Sequence, residues 1–160
     1  MRKLSVLLVL LLLPFALHAG NDDLKYDVES AGVSASGMTL IKLSLYVSKP
    51  KNATTELLKK AAVHAIIFRG VAASSVTGFS KQQPLASSPA AAQQYGDYFE
   101  TFFADGGAYM SYAQIVDSST QTVKMSKKEY RVSVVVNVST DQLRRTLKEA
   151  GVIKGMTDGF

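Results

Sequence analysis

His64 is the sole histidine beyond residue 20, and there is no cysteine anywhere in the chain. A multi-histidine zinc site within one copy is therefore excluded, as is any thiolate ligand, so no metal or cofactor is expected. His64 lies at the end of an apolar helical stretch, which reads as a satisfied structural histidine ahead of a general base. A serine hydrolase would need it beside a nucleophile, yet no Gly-x-Ser-x-Gly elbow nominates one. The glycines form neither Gly-x-Gly-x-x-Gly nor Gly-x-x-x-x-Gly-Lys-Ser/Thr, so nothing cradles a phosphate. Asp97 and Glu100 share a helix face three residues apart. An acid/base pair would need a partner carboxylate from elsewhere, and solvated helix charges are the better reading. Asp105-Gly106-Gly107 begins like a calcium loop, but Ala108-Tyr109-Met110 supplies no regular oxygen ligands. No catalytic set converges. Catalysis is thus the lesser expectation.

The elements that must position any surface are easier to read. Tyr130, Val132, Val134, Val136 and Val138 alternate with Arg131, Ser133, Val135 and Asn137, giving a strand with one apolar and one wetter face. Ser139, with Gln142 three positions on, reads as a capping box opening a helix striped by Leu143, Leu147 and Ala150. Gly151 is placed to end it in a left-handed turn. This unit is the centre of the fold, near the middle of its sheet. Val135 is out of pattern on the wet face, so the tail ending in Phe160, or a partner, is expected to cover it.

Tyr26–Val33 is a first strand and Thr39–Ser48 a second, with Ile41, Leu43, Leu45 and Val47 on its buried side. Asn52–Thr55 caps a helix to about His64; period alone leaves Ala65–Phe68 as its continuation or a strand, and two adjacent isoleucines and Phe68 before Arg69-Gly70 favour a short buried strand completing a strand–helix–strand unit. Residues 72–89 form a long irregular loop, either a passive surface connection or a functional one. A helix starting at Ser88-Pro89 carries Tyr95, Tyr98, Phe99, Phe102 and Phe103 as one aromatic stripe facing the core. Tyr109–Val116 follows as a strand. The order is β-β-α-β-loop-α-β-β-α: an α+β fold with a mixed, mostly antiparallel sheet and helices packed on one face.

Residues 1–19 have the layout of a cleavable signal peptide: Arg2 and Lys3, an apolar run over 4–17, then Leu17-His18-Ala19 before polar residues. The run is short for a membrane span. Residues 20–160 then make a single domain, of a size that buries a real core. Without Arg2 and Lys3, 16 basic residues face 13 acidic ones, a modest and scattered excess with no nucleic-acid footprint. An exported, disulfide-free domain of this size fits the bacterial periplasm, or secretion, with no transmembrane span after cleavage.

Four stretches resemble a group of small, uncharacterised secreted or periplasmic proteins of Bacteroidetes-type bacteria: Glu29-Ser30-Ala31-Gly32, the run from Ala62 to Gly70, the run from Phe102 to Gly107, and that from Ala150 to Gly155. The layout is also faintly similar to periplasmic domains of outer-membrane assembly and flagellar accessory proteins. The resemblance implies a compartment and no activity. The expected function is a non-catalytic, exported interaction or assembly domain with an envelope protein as partner; a homo-oligomer stays open. Its candidate surface comprises Phe79, Tyr95, Tyr98, Arg131, Val135 and Phe160. The alternative is a small-ligand-binding protein or hydrolase with a pocket between the aromatic helix and the sheet.

Overall fold

The computed structural model describes residues 24–32, 37–74, 81–86, 88 and 90–153. Five strands form one sheet: β1 (Tyr26–Gly32), β2 (Thr39–Val47), β3 (Ala113–Ile115), β4 (Gln121–Lys124) and β5 (Tyr130–Val138). The ladders are antiparallel and run β1-β2-β5, after which β5 pairs with β3 along one half and β4 along the other. An isolated parallel bridge, Glu29 to Ala72, makes the sheet mixed. The fold is α+β, as the sequence implies. β5 sits at its hub, paired with three strands.

One face of the sheet is apolar because the alternation is in phase across the register. Ile41 faces Val136, Leu43 faces Val134 and Leu45 faces Val132, and all six are buried. Onto this face packs α1 (Thr55–His64); α3 (Gly96–Phe102) and α4 (Thr140–Glu149) join it in one apolar cluster, α3 through ring contacts with Phe68 and Tyr112. Thr54 caps α1 by accepting the Leu57 N–H. α4 ends in a Schellman turn: Gly151, at φ +72°, donates to the Lys148 carbonyl and Val152 donates to Leu147. Its start differs from the capping box expected of Ser139 and Gln142, since the Ser139 side chain caps nothing. The Asp141 N–H instead reaches the Gly37 carbonyl in the turn before β2, so a distant segment supplies the cap.

Three further expectations are overturned. Ala65–Arg69 is a π-helical turn continuing α1, where the sequence suggests a strand. Ala65–Phe68 are apolar on every side, so periodicity cannot separate the two. The parallel strand–helix–strand unit is therefore absent, and Val71 and Ala72 make isolated bridges instead. The strand expected over 109–116 is a 3-10 turn (Ala108–Tyr112) followed by the short β3, because Tyr109 and Tyr112, three apart, both turn into the core. The aromatic helix is broken at Tyr95 into α2 (Ala91–Gln94) and α3.

Candidate functional site: the open face and the two edges

The aromatic segment behaves chiefly as core. Phe99, Phe102 and Phe103 are buried, and Phe99 and Phe103 stack with ring centres 6.1 Å apart. Tyr95 and Tyr98 are half-buried against the same cluster, and burial raises the Tyr98 phenol above its ordinary range. His64 is built into this region: Phe68 lies 4.9 Å and Phe103 5.9 Å from its ring, and Nδ1 is 2.6 Å from the Tyr26 hydroxyl. Among the described residues no group of three or more His, Asp or Glu could hold a metal.

The opposite face of the sheet carries the polar residues of each strand. Tyr46 donates to Asp27 at 2.7 Å, Lys42 meets Glu29 at 3.3 Å, and Ser44 and Ser133 share a 2.8 Å hydrogen bond. The Asp27 hydrogen bond is the main reason the Tyr46 phenol titrates higher than usual. Arg131, directly across from Tyr46, is half-buried, and its Nε has no hydrogen-bond partner among the described residues. Val135 is half-buried rather than isolated in solvent. Its N–H donates to Ser119 Oγ and its carbonyl accepts from the Val116 N–H, in the notch where Val116–Thr120 bulges between β3 and β4. Arg131 and Val135 thus share this face, whereas Tyr95 and Tyr98 lie on the helical side. Phe79 and Phe160 fall outside the described residues.

What the sequence does not reveal is the difference between the sheet's two edges. Along β1, three of the outward backbone groups are taken. The Tyr26 carbonyl accepts from Arg69, the Ser30 N–H donates to the Ala72 carbonyl, and the Val28 carbonyl accepts from Ala72 N–H. Residues 82–86 brace this cover from behind. Val71 and Gln82 exchange both backbone bonds, and Leu85 and Ala86 donate to the Ile66 and Ile67 carbonyls that end the π turn. Gly70 makes the close passage possible: its φ is +73°, and a Cβ there would meet the Gln82 carbonyl oxygen at 2.3 Å. The long loop is therefore structural over 81–86.

β4 is the other edge, and all four of its residues are exposed. Gln121 and Val123 face Ser133 and Arg131, and the Met125 N–H donates to Glu129 as that register continues. Antiparallel alternation then turns the N–H and C=O of Thr122 and Lys124 away from β5, where no described residue meets them. On the open-face side, Val116, Val123 and Met125 are 41%, 43% and 47% exposed. On the helical side, a groove of about 470 Å³ runs between this edge and the start of α1, lined by Thr122, Val132, Ile115 and Asp117 opposite Pro50, Leu58 and Lys59. Neither α2 nor α3 lines it, so the groove is separate from the pocket site anticipated beside the aromatic helix. No helix among the described residues is long and apolar enough to cross a membrane. No protein-family model, curated protein or solved structure matches the chain, so the functional reading rests on this geometry.

Proposed function

We propose that this is an exported, non-catalytic interaction domain of the bacterial periplasm or outer-membrane space, and that it captures an extended segment of an envelope protein by strand addition to β4. The observation that carries the reading is the contrast between edges. One is closed by Arg69 and Ala72, while the other offers the backbone of Thr122 and Lys124 next to exposed valine and methionine. Main-chain hydrogen bonds supply affinity in strand addition, and alternate side chains supply selection. Export rests on the leader-like first nineteen residues. The absence of a converging catalytic set in the sequence fits a binding role.

Thr122→Pro is the direct test. It removes an outward N–H without touching the β4–β5 ladder, and edge strands tolerate proline in that orientation. Binding of an extended peptide should be lost while the fold is kept; undiminished binding by the variant refutes capture at this edge. Fractionation of the native host, with recovery in the cytoplasm, would refute the compartment.

A further inference from the structure

We infer that the segment added to β4 is amphipathic with a period of two: acidic on the side of the groove and apolar on the side of the open face. The inference rests on the strand-addition reading above and specifies the partner's chemistry. Directly opposed residues in an antiparallel ladder point to the same face. Thr122 and Lys124, opposite Val132 and Tyr130, therefore project toward the groove, and Val123, opposite Arg131, projects toward the open face with Met125 two positions on. Any strand laid against β4 repeats that alternation, so its side chains meet two different environments in turn.

The groove side is cationic. By alternation Lys124 lies on that side, Lys127 and Lys128 are exposed in the turn that follows β4, and Lys49 and Lys51 are exposed next to Pro50, which lines the groove. Lys59 lines the groove as well. The carboxylate that lines the groove is Asp117, and Glu129, at the far end of the turn, is already held by Lys25 at 2.6 Å, so the lysines of β4 and its turn outnumber the acidic groups beside them. The open-face side presents Val116, Val123 and Met125. Carboxylates on one side of the incoming strand and aliphatic side chains on the other complement both surfaces. A second copy of this chain would bring the same lysines to the seam, so the charge pattern favours a different, acidic partner.

The test uses the full chain and three synthetic peptides of about seven residues, a common strand length. They alternate valine with glutamate, with glutamine or with lysine, and binding is read by fluorescence anisotropy at low and high salt. Expected is an order of glutamate, then glutamine, then lysine, with the glutamate peptide weakened about tenfold or more by salt that screens exposed charges. Charge reversal at Lys124, Lys127 and Lys128 (K124E, K127E and K128E together) should invert the order. Equal, salt-independent binding of the glutamate and glutamine peptides overturns the acidic specificity and leaves capture standing. No binding of any peptide, or unchanged binding to Thr122→Pro, overturns capture itself. Self-association that disappears in Thr122→Pro would identify a second copy as the occupant and overturn the inference.

Discussion

The two edges of this sheet solve the same physical problem in opposite ways. An edge strand exposes a row of hydrogen-bonding groups that invite another chain. At β1 that row is covered from within: Arg69 leaves the π turn to reach the Tyr26 carbonyl, its guanidinium also lies 4.4 Å from the Tyr26 ring centre, and Ala72 bridges Val28 and Ser30. At β4 the protection is charge alone, through Lys124 and the lysines of the following turn. A cover over the Tyr26 and Val28 carbonyls and the Ser30 N–H obstructs any added strand whatever its charge, whereas lysines exclude like-charged strands and admit acidic ones. That difference is why the binding reading belongs to β4.

The contrast can be broken in graded steps. The largest effect is expected at the support of the closed edge. Phe103→Ala opens a cavity beside His64 and Phe99 and should cost about 3–5 kcal/mol in chemical denaturation. Next is Tyr26, which is 4% exposed and whose pKa burial pushes up to about 12, partly offset by Arg69. The folded chain then keeps a proton that the unfolded chain releases from about pH 10. Stability should be level below that pH, and as pH rises through 10–12 it should fall by about 2–3 kcal/mol more than in Tyr26→Phe, which keeps only the decline due to the other raised phenols, Tyr46 and Tyr98 among them. A Tyr26→Phe variant with the same alkaline decline would show that another group carries it. Ser119→Ala removes the hydroxyl that accepts from the Val135 N–H and donates to the Val116 carbonyl, and should cost about 1 kcal/mol. Thr122→Pro, at the open edge, should cost less than about 1 kcal/mol, since no described residue uses that N–H. A large loss there would mean that the β4 edge is not free.

Much of the scaffold was legible because its signals are local. The alternation over Tyr130–Val138 identifies a strand, the sequence around Thr54 a helix start, and Gly151 a helix end; each depends on residues within one or two turns. The misreadings lie where distant chain segments decide. Ala65–Arg69 stays helical because Leu85 and Ala86, about twenty residues on, satisfy its carbonyls. Ser139 is relieved of capping by Gly37, a hundred positions earlier. Tyr109 and Tyr112 did leave a readable trace, two aromatics at the three-residue spacing of a 3-10 turn. The candidate site was only partly visible: Arg131 and Val135 were placed on the correct face by alternation. The edge contrast has no sequence signature, because Arg69 and Ala72 become a cover only when the π turn brings them beside β1.

The most direct measurement is residue-resolved amide hydrogen exchange of the unbound protein. Ser30 and Ala72, bonded across the β1 edge, should exchange slowly, while Thr122 and Lys124 exchange at rates close to those of an unstructured chain. Adding the alternating valine–glutamate peptide should slow Thr122 and Lys124 and leave Ser30 and Ala72 unchanged. Slow exchange of Thr122 and Lys124 in the unbound monomer would show that the β4 edge is already covered, and would contradict strand capture there.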